Sequence, residues 1–209
     1  MVKAGGIALD DTGTSDNIYE WDRRVVVQDG VTWPIEAGTI IKGRAGTGSL
    51  ASALIVARGG KLNAVGTAAA PIIFTSTSDN IDAGETAGTN LNQDNRGLWG
   101  GLIVLGYAPC SLRGDLEETQ IEGIPADDTF GLYGGTDPAD DSGRIEYVSI
   151  RHGGALIGEG NEINGLTLGG VGSGTVINNV EVVANVDDGI EFFGGTVDAS
   201  NFLVWAQGD

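Results

Sequence analysis

The sequence predicts an all-β coil, a β-solenoid in a single domain, from three observations. The first is a strand phrase that returns: Tyr147-Val-Ser-Ile150, Asn179-Val-Glu-Val182 and Asn201-Phe-Leu-Val204, spaced 32 and then 22 residues apart. The second is an interleaved phrase, Gly165-Leu-Thr-Leu-Gly-Gly170 and Gly189-Ile-Glu-Phe-Phe-Gly194, 24 residues apart. Strand phrases that recur every few tens of residues between Gly, Asn and Asp mark stacked rungs. The third is composition: 36 Gly but 5 Pro, 41% apolar residues and few aromatics. Gly reaches positive φ without steric cost, so this density supplies tight corners. No G-X-Y period exists, which excludes collagen. No segment carries apolar residues at helical spacing over a helix length. A β-sandwich also has many short strands, but here the copies repeat in residue type as well as in period. Stacked like residues, Asn above Asn, would form side-chain ladders.

The elements follow in order. Residues 1–20 are polar and read as a lead-in or N-terminal cap, with the coil running over 21–209. Arg24-Val-Val-Val-Gln28 is the first strand, followed by Asp29-Gly30, a hairpin or corner signal. Val31–Ile35 and Gly38–Lys42 continue the extended pattern. Ser52–Ala57, Lys61–Val65 and Ala70–Ser76 are three short strands with three corners, one turn of a three-faced coil. Residues 77–97 are polar and form a long excursion. Leu98-Trp-Gly-Gly-Leu-Ile-Val-Leu105 resumes the coil. Residues 111–143 form a second excursion, rich in Asp and Glu. Loops of this length inside a compact domain are uncommon unless they do something. From Arg144 onward the rungs are regular.

The formal net charge of −18 argues against nucleic acid and against anionic membrane surfaces, both of which the chain would repel. No apolar run is long enough for a transmembrane helix. The first residues, Met1–Asp10, lack an h-region and cleavage site, so an export signal is not among them. The single Cys, Cys110, forms no intrachain disulfide and reads as a small buried hydrophobe.

The stretch Ala53-Leu-Ile-Val-Ala-Arg-Gly-Gly-Lys-Leu-Asn-Ala-Val-Gly-Thr-Ala-Ala-Ala-Pro-Ile-Ile-Phe-Thr-Ser76 resembles the opening rung of secreted bacterial β-helix proteins. So do Leu98-Trp-Gly-Gly101 and Val186-Asp-Asp-Gly-Ile-Glu-Phe-Phe-Gly-Gly195. The group is the pectin-lyase-like superfamily, and the likeness is nearest to its cell-surface or secreted members from marine and Bacteroidetes-type bacteria. It runs from about residue 25 to the end. The resemblance implies a right-handed parallel β-helix with two long polar excursions, placed outside the cell or on its surface. It also implies further rungs beyond Gly208-Asp209, so the chain is expected to be a fragment or a shortened relative.

The resemblance brings an enzyme into view, since the superfamily includes pectate lyases and polygalacturonases. A lyase needs Ca²⁺ held by carboxylates and an Arg or Lys to take the proton. Asp187, Asp188 and Glu191 are candidate ligands, and Arg151 or Arg144 a candidate base. Asp187-Asp188 reads equally as a solvated turn. The polygalacturonase motif order is reversed here, with Arg151-His152-Gly153 ahead of Asp187-Asp188 and no Arg-x-Lys. His152, the single His, is a candidate base or ligand or a hydrogen-bonded turn residue. Asp127, Asp128, Asp140 and Asp141 are calcium candidates on charge density alone, with no EF-hand spacing. Trp21, Trp33, Trp99 and Trp205, with Tyr19, Tyr107, Tyr133 and Tyr147, stack on sugars if they line one outer face, or else fill the core. The expectation is therefore a non-catalytic scaffold or binding module for polysaccharide, with calcium as its candidate cofactor. A polysaccharide lyase or hydrolase is the alternative. A third reading is a structural protein that self-associates through the open strand edges of its C-terminal rung.

Overall fold

The structure, a computed structural model, describes residues 2–6, 11–158 and 161–208. It is a right-handed parallel β-helix with three faces. Strand β1 (Val2–Gly6) lies against β2 (Ile18–Val27), which bends so that each half serves a different face. β3 (Thr32–Ile35) supplies the third face. The next turn is β4 (Ile40–Gly43), β5 (Leu54–Val56) and β6 (Lys61–Val65). Then come β7 (Ile72–Ser76) and β8 (Leu102–Leu105). A small antiparallel pair, β9 (Thr119–Gln120) and β10 (Leu132–Tyr133), precedes β11 (Gly143–Arg151). A second such pair, β12 (Leu156–Gly158) and β13 (Asn161–Glu162), precedes β14 (Leu166–Gly169). β15 (Val176–Val183), β16 (Ile190–Phe193) and β17 (Ala199–Trp205) complete the coil.

Each face is a parallel ladder one strand wide. The first face stacks residues 18–21, β4, β7, 148–151, 180–183 and 202–205. The second stacks residues 25–27, β5, β8, β14 and β16. The third stacks β3, β6 and the opening halves of β11, β15 and β17. The repeated phrases fall in register: Val148 pairs with Val180 and Val180 with Phe202, and Leu166 pairs with Ile190. Asp29-Gly30 is a corner, because β2 and β3 lie on different faces. Parallel neighbours need a full circuit of chain between them, and corners provide it.

Alternate residues point inward and stack rung on rung. On the first face the inner column runs Tyr19, Ile41, Phe74, Ile150, Val182. On the second it runs Val25, Leu54, Leu102, Leu166, Ile190. These columns meet in one apolar core. Each fully buried side chain contributes about 1.5–3 kcal/mol of transfer free energy. At the early turns the core is aromatic. Trp21 lies 5.9 Å from both Trp33 and Phe74, and 6.5 Å from Trp99, measured between ring centroids.

Two columns of left-handed residues make the corners. Tyr147, Asn179 and Asn201 sit at φ of 50, 53 and 57°, and each bends its strand from the third face to the first. His152, Ala184 and Ala206 sit at 62, 58 and 59° and end the first face. Asn tolerates this region better than most residues, which accounts for Asn at two of the three bends. The expected Asn ladder takes a different form. Asn201 Nδ2 donates to Asn178 Oδ1 at 2.7 Å, and Asn179 is a corner residue. Gly143 opens β11 at φ +105°, where a Cβ would lie 2.3 Å from the Leu62 carbonyl oxygen. Only Gly fits that close approach.

Residues 1–20, expected as a lead-in or N-terminal cap, take part in strand pairing. β1 pairs with β2, Gly13 bridges Ile35, and β2 itself begins at Ile18. Polar composition hides this because the ladder is made by backbone.

The two excursions leave the same turn, one on either side of β8, and each packs on an outer face. Ile81 of the first fills a small apolar cluster with Ile18, Ile40 and Ile73, the outward side chains of the first face. The second carries Ile121, Ile124 and Tyr133 onto Ile55, Ile103 and Leu105, the outward side chains of the second face. Cys110 joins that packing half-buried, and burial raises its thiol pKa. The third face carries Lys61, Asn63, Arg144, Glu146 and Asn178 outward, with Val65 exposed among them.

Candidate binding groove

Beside the first excursion, the outer side of the first face carries a hollow surface along its later rungs. Strand alternation puts Ser149 and Arg151 of β11, Glu181 and Val183 of β15, and Leu203 and Trp205 of β17 on this surface. Two adjoining hollows of about 240 and 460 Å³ share Glu181 and Leu203. The first lies between Pro71 and Tyr147 and the corner amides Asn179 and Asn201. The second lies between Trp205 and the loop residues Leu91, Asn92 and Gln93. Together they form one groove with an exposed aromatic ring in each part, Tyr147 and Trp205.

The floor is a fixed polar network. Arg151 Nε donates to Ser149 Oγ at 2.6 Å, and Ser149 Oγ donates to Glu181 Oε1. Arg151 also donates to Glu181 Oε1 at 3.1 Å and to the Thr86 carbonyl at 2.8 Å, tying the rungs to the excursion. His152 is buried at the groove's edge, and its Nδ1 donates to the Asn95 carbonyl at 2.7 Å. That hydrogen bond fixes the Nδ1–H tautomer, because a carbonyl only accepts. The wall is braced from below. Asp79 accepts from Thr75 Oγ1 at 2.9 Å and from the Ile81 N–H at 3.1 Å. Lys42 is buried, and its ammonium donates to the carbonyls of Asp79 and Ile81.

Asp187 and Asp188 occupy the corner between β15 and β16, away from this network. The carboxylates they influence are Glu122, from the second excursion, and Glu191, outward on β16. Partial loss of solvent raises the Glu122 pKa, and the charges of Asp187 and Asp188 add to it. Glu191 is raised first by burial and then by Glu122, Asp188 and Asp187, against the opposing hydrogen bond from Asn164 Nδ2 at 2.5 Å. Arg151 spends its donors on Ser149, Glu181 and Thr86, and Arg144 pairs with Glu146 at 2.6 Å on the third face. Among the described residues, the carboxylate partners of these arginines are Glu146 and Glu181 rather than Asp187 or Asp188.

The other calcium candidates are dispersed. Asp128 pairs with Arg24 at 3.2 Å and caps a 3₁₀ turn by accepting from the Phe130 N–H. Asp141 pairs with Lys61 at 2.6 Å, and Asp140 is buried against Ser142. Asp127 lies exposed in the turn before that cap. Among the described residues, no three His, Cys, Asp or Glu side chains converge as metal ligands. High charge density over 111–143 therefore does not translate into a ligand cluster; much of it docks the excursion onto basic residues of the coil. Glu118 does the same with Arg58 at 2.6 Å, while Arg58 lies 4.9 Å from the Tyr107 ring centroid.

The aromatics divide cleanly. Tyr19, Trp21, Trp33 and Trp99 are core residues, and Tyr133 is buried beneath the second excursion, 6.1 Å from the Phe193 ring. Tyr107, Tyr147 and Trp205 are exposed. Glu181 had not been singled out from sequence, yet the repeat contains it: 32 residues beyond Ser149 is the position that stacks on it.

The fold is that of a parallel β-helix protein, with a groove along one outer face. The chain belongs to the pectate-lyase-like beta helix domain family, whose model matches residues 5–209. That membership points to a carbohydrate-related role. No curated protein and no solved structure matches the chain.

Proposed function

We propose that the chain is an extracellular or cell-surface scaffold whose first-face groove binds polysaccharide without cleaving it. The observation that carries this reading is the groove itself. It crosses successive rungs, about 4.8 Å apart, and presents an exposed ring, corner amides and an apolar side chain along its course. An extended polymer of repeating units suits a surface that repeats. Binding without cleavage fits the polar groups there: Arg151, Glu181 and Ser149 satisfy one another, and the carboxylates of Asp187, Asp188, Glu122 and Glu191 sit elsewhere. A glycan array run with and without chelator tests it. Binding of polysaccharide, unchanged by chelator and without release of shorter products, is expected. Chelator-sensitive binding would instead install calcium, and product release would install the lyase or hydrolase.

A second reading, self-association, has its own observation. Phe202 and Val204 face inward on β17 yet remain exposed, as does Phe192 on β16. Both strands are sheet edges, and unpaired edges recruit partners. Light scattering decides it: a dimer or larger stack supports a second copy on this end, and a monomer at high concentration removes it.

A further inference from the structure

We infer that the groove selects a neutral polysaccharide and rejects polyuronates; this rests on the groove being the glycan site. A polyuronate brings a carboxylate with every sugar, and each must find a cation or lose its hydration. The groove's lining holds one Lys or Arg side chain, Arg151, and one His, His152, which is buried with its Nδ1 on the Asn95 carbonyl. The donors of Arg151 are already directed to Ser149, Thr86 and Glu181, and Glu181 offsets its charge. The nearby Lys42 is turned under the excursion, with its ammonium on two backbone carbonyls. Nor do carboxylates converge in the groove to lend a bridging cation. A net charge of −18 adds long-range repulsion.

What remains suits an uncharged sugar. Trp205, Leu203 and Tyr147 offer apolar surface for the C–H faces of sugar rings. Asn179, Asn201, Asn92 and Gln93 offer amides, each both donor and acceptor, for hydroxyls. Amino sugars would need a free carboxylate, and the two acids on the lining, Glu181 and Asp79, are both engaged.

The test is calorimetric titration of the whole chain, at physiological salt, with a neutral glucan, a neutral mannan, polygalacturonate and chitosan. Trp205→Ala and Glu181→Gln variants, checked for fold by circular dichroism, run alongside. At least one neutral polymer is expected to bind, with a loss of about tenfold or more in Trp205→Ala, and polygalacturonate at least tenfold more weakly. Glu181→Gln uncovers the Arg151 charge and is expected to narrow that gap. Polygalacturonate or chitosan binding as tightly as the neutral polymers, with the same dependence on Trp205, would overturn the selectivity and leave the groove standing. No Trp205-dependent binding to any of the four would overturn the groove itself, and the selectivity with it.

Discussion

The two excursions leave the coil from one turn and do opposite things to the faces they cover. The second, between β8 and β11, brings Ile121, Ile124 and Tyr133 down on the second face and fastens itself with Arg58–Glu118, Arg24–Asp128 and Lys61–Asp141. The first, between β7 and β8, brings Ile81 onto the early turns of the first face, over Ile40 and Ile73. The groove lies beside that cover, along the later rungs. The acidic loop that drew attention by its charge is an anchored lid over apolar surface. The plainer, polar loop walls the candidate site.

That contrast can be broken in order of expected effect. Removing an anchor from the second excursion costs the most: Tyr133→Ala is expected to lower the unfolding free energy by about 3–5 kcal/mol, the range for buried aromatic truncation, measured by denaturant titration. Ile81→Ala is expected to cost about 2–4 kcal/mol and to raise hydrogen exchange across 77–97 while leaving the second face protected. Equal exchange gains on both faces would mean the excursions are not independent. Trp205→Ala, at an exposed position, is expected to leave the thermal midpoint within a degree or two while weakening glycan binding about tenfold.

The smallest effects concern protons, and their signs differ between two acids. Burial and neighbouring carboxylates raise Glu191 in the folded chain. A raised carboxylate stabilises fully below its unfolded pKa and loses that contribution as pH rises through the folded value. Glu191→Gln is therefore expected to stabilise at neutral pH, by less than about 1 kcal/mol after solvent screening, with the gain vanishing in acid. For Asp141, burial alone would raise the pKa, but Lys61, the Gly143 N–H and Arg144 lower it overall. Its contribution is present above the unfolded value and lost as pH falls. Asp141→Asn is expected to destabilise at neutral pH by about 0.5–1 kcal/mol and to have no effect in acid. Paired melting curves across the carboxylate range check both signs.

Much of the architecture was legible because a β-helix writes its register into sequence spacing. The 32- and 24-residue intervals are the pairings Val148 with Val180 and Leu166 with Ile190. The excursions were legible as polar interruptions, and β8 as the strand between them. The hairpin of β12 and β13 was not, since so short a pair leaves no periodic signal. The corner role of Tyr147 was also hidden: an aromatic at positive φ runs against local preference and is imposed by the bend. Arg151 was singled out, but its partner was not. Asp187 and Asp188 look nearer to it in motif logic, whereas Glu181 is nearer in space because one coil turn returns the chain to the same face. The neighbours of Glu191 include Glu122, delivered by the second excursion, and nothing in local sequence predicts where a long loop lands.

Tryptophan offers the most direct measurement of where a ligand sits. Trp21, Trp33 and Trp99 are fully buried, and Trp205 is 56% exposed. Acrylamide quenching of the free protein should show one accessible tryptophan component, absent from Trp205→Ala. Saturating polysaccharide is predicted to abolish that component in the native chain. Polysaccharide that binds while the accessible component stays fully quenchable would place the ligand elsewhere and contradict the groove.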